Sequence, residues 1–291
     1  MNKHKLAGML TRNALTALRS RAVILLTTLF LHLMLCNQAA AQSDRSLIVG
    51  GTWCSDDPRY ALTMPQREQL TNSLRQMTGW KQLQFTAEGA LVTGDSAVSE
   101  GGSALARKVW LMARQSGFRF VIEDHSGSPD VNFGQLDEGT NYFDVRRNLK
   151  LEIWRVRLDF LDFTQMQTTP EVRESFDPGF TLLHELLHGL GYKDTRVPGE
   201  LGECEQLVNR IRAELGLPQR LQYHGEIIRL SRWIASVRLR FRSLIPASAN
   251  DAGKMRWKNQ YLYFLALLRP EFAAGQSIVK RAGEKDPRLV E

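Results

Sequence analysis

The stretch FTLLHELLHGLGYKD, from Phe180 to Asp194, puts His184 and His188 four residues apart, Glu185 directly after the first, and Asp194 six residues after the second. On a helix, residues four apart share a face one turn from each other, so both imidazoles can offer a nitrogen to one point. Zinc accepts such nitrogens at about 2.0–2.1 Å, prefers four ligands, and in catalytic sites leaves one position to water. Glu185 falls beside that water, where a carboxylate can take its proton during attack on an amide and pass it to the leaving amine. His-Glu-x-x-His is thus a hydrolytic arrangement written at helical spacing. The competing reading is a leucine-rich core helix with incidental histidines, because Leu182, Leu183, Leu186, Leu187 and Leu190 are core residues in either case. That reading buries two histidines and a glutamate without partners, at roughly several kcal/mol.

HELLHGLGYKD matches the HExxHxxGxxD form of the zincin metallopeptidases. It is similar to the metzincin pattern with Asp in place of a third histidine, as in snapalysin-like enzymes. The resemblance implies that Gly191 turns the chain so that Asp194 returns to the metal as third ligand. Six residues of continuous helix advance about 600°, which would leave Asp194 on another side, so this assignment depends on the turn. A second resemblance begins at Glu203. ECEQLVNRIRAELGLPQRLQY looks like the segment after HExxH in NleD-like effector zinc endopeptidases, with Asn209 to Glu214, Gly216 to Arg220 and Tyr223 at the recurring positions. It implies a downstream glutamate, Glu203 or Glu205, as the alternative third ligand, with Asp194 behind it. Together the resemblances cover Phe176 to His224. The connection from His188 to Glu203 is short for the effector type, and no methionine follows Asp194 closely enough for a Met-turn.

Tyr223 is a candidate for hydrogen bonding to a developing oxyanion, and His224 competes for that role. The alternative for each is ordinary, a half-buried tyrosine and a surface histidine. His125, in EDHSGSPD, reads as a loop residue. RLRFRS reads as the solvated face of a strand that could bind acidic partners. GGTWCSDDPRY could reach a cleft through its cysteine or acids but reads first as a structural segment.

Several elements must position these groups. PQREQLTNSLRQMTG opens on Pro65, repeats Leu70, Leu74 and Met77 at helical spacing and stops at Gly79. SALARKVWLMARQSG carries Leu105, Val109 and Met112 on one face and stops at Gly117. FRFVIED, and the pair NYFDV and LKLEIWRV around RRN, read as strands. The motif helix should start with Asp177 as N-cap and Pro178 in the first position, and end or bend near Gly189 and Gly191. A further helix is expected in GECEQLVNRIRAELGLP, and a C-terminal hairpin from VRLRFRS and MRWKNQYLYF. The strand from Lys150 to Arg157 is the expected sheet edge, along which a peptide could add as an extra strand.

The formal charge of +7 is concentrated at the start of the chain. The first 41 residues hold Lys3, Lys5, Arg12, Arg19 and Arg21 and no acid; without them 33 basic and 31 acidic residues remain, a net of +2. A long-range pull on nucleic acid is therefore not expected. The basic start, the apolar run Ala22 to Leu35, and Ala39 and Ala41 have the order of an export signal cleaved after Ala41. Residues 42–282 would then form the folded domain and 283–291 a polar tail. Two cysteines remain after cleavage, and in an oxidising compartment Cys54 and Cys204 would be candidates for a disulfide, against two buried free thiols.

The expectation is an exported, single-domain α+β protein with a zincin-like mixed sheet packed on the HExxH helix. It would be secreted or periplasmic, without stable membrane insertion; an N-terminal anchor is the alternative. It would hold one Zn2+ through His184, His188 and Asp194, with Glu185 and Tyr223 acting on a protein or peptide substrate. The rival is a zinc-binding envelope or interaction protein of the same fold without turnover.

Overall fold

The computed structural model describes residues 51–94, 99–144, 149–195, 197, 199–231, 234–246 and 255–267. The expected signal segment 1–41, with its alternative as an anchor, and the tail 283–291 lie outside them. The chain divides after Ile48, and everything described here belongs to the unit Val49–Glu291. Among the described residues no helix is long and apolar enough to cross a membrane.

The helices begin where side chains can satisfy their first free N–H groups. Thr63 and Gln66 form a reciprocal capping box at α1 (Met64–Thr78), which Gly79 ends at φ 75°. Ser103 caps α2 (Ala104–Gln115). The short α3 (Phe160–Gln165) and α4 (Pro170–Ser175) start on Asp159 and Thr169. Asp177 accepts from the Phe180 N–H and starts α5 (Pro178–Gly189), the motif helix. The last helix, α6 (Glu203–Glu214), follows Gly202.

Strands β1 (Gly51–Cys54), β4 (Phe118–Asp124) and β7 (Leu149–Leu158) run parallel, in that order. A small ladder, β2 (Gln84–Phe85) with β3 (Leu91–Val92), lies between β1 and β4 in sequence. On the other side of β7, β5 (Gly134–Leu136) and β6 (Thr140–Asp144) both pair with it antiparallel. The expected edge at Lys150–Arg157 is therefore corrected: β7 is paired on both sides, and β5 with β6 forms the edge. Long alternating strands such as LKLEIWRVRL can satisfy two ladders. A three-residue strand that starts with glycine suits the border of a sheet.

The second sheet is the C-terminal hairpin, β10 (Ile234–Pro246) and β11 (Met255–Leu267), flanked by β8 (Gln219–Arg220) and β9 (Glu226–Arg229) on β10. The result is mixed α+β, in keeping with the expected class.

Two apolar clusters hold these parts. The larger joins α1, α2, α5 and α6 to the first sheet through Leu70, Trp80, Trp110, Phe120, Leu183 and Ile211. The smaller joins α3, α4 and the hairpin through Phe133, Phe163, Phe176, Phe241 and Leu262. Helix α5 packs against α1, α2, α6, β5 and β7. Gly189 permits its contact with the sheet, because a Cβ there would sit 2.4 Å from the Phe120 ring.

Candidate metal centre

The four-residue spacing of α5 brings the His184 and His188 rings to a centroid distance of 4.9 Å, almost perpendicular. After the helix, Gly191 adopts φ 93°, a left-handed conformation that suits glycine, and the chain turns back. Asp194 Oδ2 then lies 3.0 Å from His188 Nε2 and 3.4 Å from His184 Nε2. Gly202 makes this return tight, since a Cβ there would meet the Asp194 Cα at 2.4 Å. Donor atoms of His184, His188, Asp194 and Cys204 all lie within 4.8 Å of one another and could hold a metal ion.

The opposite sides of the rings are occupied. His188 Nδ1 is 3.1 Å from the Tyr192 carbonyl, which can only accept, so the proton belongs on Nδ1 and Nε2 is left to ligate. Cys204 Sγ sits 3.4 Å from the same Nδ1, behind the ring as seen from Asp194. His184 Nδ1 faces Glu205 Oε2 at 3.6 Å. Glu205 is itself pinned by Arg212 and by Arg220, whose Nη1 is 3.2 Å from Oε2. Asn209 Oδ1 accepts from Arg212 at 2.8 Å and from the Arg220 backbone N–H at 2.9 Å, while Arg212 Nε donates to the Ser175 carbonyl at 2.7 Å. The conspicuous residues of NRIRAELGLPQR thus build one buried network that aims a carboxylate at His184.

The electrostatics follow from this geometry. Burial alone would raise the Asp194 carboxyl, but the two adjacent imidazoles prevail and hold it far below the usual carboxylate range. Burial likewise works against a charged His188, and Asp194, Cys204 and Glu185 outweigh it and push the ring up to about 11. Burial also opposes ionisation of Glu205, yet Arg212 and Arg220 bring it down to about 2. Asp194 therefore presents a carboxylate that stays ionised to the Nε2 side of both rings, the negative charge a cation would meet in place of ring protons. Its Oδ1 is buried and has no hydrogen-bond partner among the described residues. Two imidazole nitrogens, one carboxylate and an unsatisfied carboxylate oxygen fit a divalent transition metal, zinc among several.

Glu185 is 6% exposed, and burial raises its carboxyl above the ordinary value; His184 and His188 act in the opposite direction. The backbone N–H of Leu136, in β5, hydrogen-bonds to it. Strand β5 can come this near because Gly134 has no side chain: a Cβ would lie 2.4 Å from Thr181 Cγ2 and 3.5 Å from Glu185 Oε1. The preceding Phe133 has φ 60°, rare for an aromatic residue. Its N–H donates to Asp162 at 2.9 Å, and its ring packs edge-on against Phe163, Phe176 and Phe264, which hold the strained turn.

Tyr223 stacks on His184, with ring centroids 5.8 Å apart and planes within 14°. Burial, and then the nearby Asp194 carboxylate, push its phenol well above the ordinary value, so it remains a protonated donor. His224 touches Tyr223 edge-on at 5.2 Å. Glu203 is not in the cluster: it is exposed and accepts from the Lys193 N–H at 3.1 Å. Glu205 lies on the Nδ1 side of His184. His125 lies apart, 3.2 Å from Glu123 and stacked on Tyr60.

The expected Cys54–Cys204 bridge is not formed, and both thiols are free and buried. Cys54 ends β1 at the sheet border opposite β5, whereas Cys204 is fixed beneath His188. An even cysteine number suggested pairing; the positions do not bring the two together.

Sequence reasoning did not foresee Cys204 beside His188, the role of β5, or the joint action of Arg212 and Arg220. The signal for the last was present. Glu205, Asn209 and Arg212 fall at i, i+4 and i+7, a polar stripe on one helix face where solvent exposure would have been the routine inference.

No protein-family model, curated protein or solved structure matches the chain.

Proposed function

We propose that this chain is a metal-dependent peptide hydrolase, with zinc as the metal held by His184, His188 and Asp194. The observation that carries the reading is the position of Glu185. Among the described residues it is the buried carboxylate that lies beside both histidines and takes a hydrogen bond from a border strand, β5, where a peptide could pair. When bound, the metal would supply Lewis acidity, polarising the scissile carbonyl and making water easier to deprotonate.

The chain's own residues do the rest. Glu185, its carboxyl raised by burial, takes the proton of the attacking water on an oxygen and passes it to the leaving nitrogen. The Leu136 N–H aims that carboxylate. On the side of β5 turned away from β7 the Leu136 N–H serves Glu185 and the Gly134 N–H serves Asn132, which leaves main-chain carbonyls that can accept from an extended substrate. Tyr223 keeps its phenolic proton and can donate to the oxyanion as charge develops.

A second reading, a metal-holding protein without turnover, has one observation in its favour. Cys204 Sγ lies within 4.8 Å of the other donor atoms, and if the thiol moved from the Nδ1 side of His188 it could serve as a fourth donor and close the coordination shell.

One experiment separates the two. Purified protein is assayed for metal per chain by elemental analysis and for cleavage of a peptide library, alongside Glu185→Gln, His188→Ala, Asp194→Ala, Glu203→Ala and Cys204→Ala. The expected result is one zinc in wild type, kept in Glu185→Gln and Glu203→Ala and lost in His188→Ala and Asp194→Ala. Cleavage should fall on the order of a thousandfold or more in Glu185→Gln. Metal bound without cleavage, and lost in Cys204→Ala, would establish the second reading. No metal in wild type after equilibration with zinc would reject both.

A further inference from the structure

The first turn of the motif helix borders a cavity of about 220 Å³ that shares no residue with the metal centre. Asp177, the N-cap, precedes His184 by seven residues, roughly 10 Å along a helix axis. The space lies between α1, the stretch from Glu174 to Phe180, and the chain leaving α6. Buried Ser73, Met77 and Phe180 form its floor, half-buried Leu215 and Leu217 a wall, and exposed Glu174 the rim, with Asp177 between floor and rim.

The charge in this cavity is of a single sign. Two carboxylates line it and no basic residue does, among the described residues. Ser73 Oγ comes against the helix start because Gly179 has no side chain: a Cβ there would lie 2.0 Å from that oxygen and 3.4 Å from Asp177 Oδ1. The hydroxyl is buried and forms no hydrogen bond of full geometry, although it is near enough to Asp177 to favour its charge. Burial pushes the Asp177 carboxyl up to about 6 against the pull of Ser73, the Phe180 and Gly179 N–H groups, and Arg212, which acts on it only through space. Glu205 differs: burial opposes its charge too, yet two guanidinium groups in contact bring it down to about 2. What Asp177 lacks is a cation in contact.

We propose that this cavity binds a small organic cation, a primary ammonium on an apolar body, with the ammonium between Asp177 and Glu174. The body would rest on Met77, Phe180, Leu215 and Leu217, and Ser73 Oγ can accept from the ammonium. The volume is below the roughly 300–1,000 Å³ of sites for drug-sized ligands, so the ligand is small. A helix start ordinarily attracts an anion, but here Asp177 already meets those N–H groups and a second negative charge would face two carboxylates. The proposal does not rest on the hydrolase reading.

Calorimetric titration of the full chain with phenethylammonium tests it, beside neutral phenethyl alcohol and anionic phenylacetate. The amine should bind saturably, on the order of tenfold or more tighter than the alcohol, and phenylacetate should not bind. Asp177→Asn keeps a capping side chain and removes the charge, so affinity should fall on the order of tenfold with circular dichroism unchanged. Glu174→Gln, on the exposed rim, should cost about threefold. Ionised Asp177 is the binding form, so wild-type affinity should rise as pH passes upward through about 6, and that rise should be absent in Asp177→Asn. The other charged groups facing Asp177 are Glu174 from α4 and Arg212 from α6; α1 contributes the uncharged Ser73 and Gln76. His188→Ala should bind the amine as wild type does, which separates this cavity from amine ligation at a metal. Equal affinity for amine and alcohol, or equal affinity of wild type and Asp177→Asn, would overturn the proposal. So would loss of amine binding in His188→Ala, or no saturable binding in wild type.

Discussion

The two sides of the histidine pair are built on different principles. On the Nδ1 side every group is spoken for: the Tyr192 carbonyl and Cys204 meet His188, and Glu205, held by Arg212 and Arg220, faces His184. On the Nε2 side Asp194 meets both rings through Oδ2, and its Oδ1 is buried without a hydrogen-bond partner among the described residues. One side is finished by folding, whereas the other could hold a cation. Stability and ligation should therefore be separable by mutation.

The sharpest way to break the comparison is Arg212→Met, which leaves Glu205, 1% exposed, facing only Arg220 and His184. Loss of one member of a buried ion pair costs on the order of 3–5 kcal/mol, so the urea midpoint should fall steeply. A loss under about 1 kcal/mol would mean the network is not what holds the finished side.

Acid should strike the same side. The folded-state pKa of Glu205 is lowered to about 2 from an ordinary 4.5, so its contribution is complete above about 4.5 and is lost as pH falls towards 2. A urea series across that window should show stability declining in wild type and a shallower decline in Glu205→Gln.

Asp194→Ala sharpens the contrast at a smaller scale. It should abolish metal binding yet cost only about 1–2 kcal/mol of apo-protein stability, because an imidazole left without its partner can release its proton and become neutral, whereas Arg212→Met takes the nearest partner from a fully buried carboxylate. Equal destabilisation by Asp194→Ala and Arg212→Met in chelator would erase the distinction between the two sides.

Much of the frame was legible because local chemistry dictates it. Asp177 before Pro178, Ser103 before its helix and Gly79 after α1 are start and stop signals that need no tertiary partner. The hairpin itself was legible in two alternating segments, although its register was not. Strand β5 was not legible: GQL has no period to detect, and its place depends on β7 being paired on the far side by β4. The choice between Glu203 and Glu205 was not legible either. Two residues apart on a helix, they point about 200° apart, and only the packing of α6 on α5 decides which one faces His184. Cysteine number suggested a bridge, but number carries no information about distance.

Arg220 belongs to two structures at once. Its side chain reaches Glu205 beneath His184, while its backbone, in β8, pairs with Phe241 of the C-terminal hairpin. The ribosome releases the His184–His188 helix well before that hairpin. A nascent chain can thus expose both imidazoles while Glu205 has Arg212 but not yet the strand-held Arg220. One mount of the carboxylate behind a histidine is set by a strand that follows the helix by about fifty residues, which ties the centre to pairing that is distant in sequence.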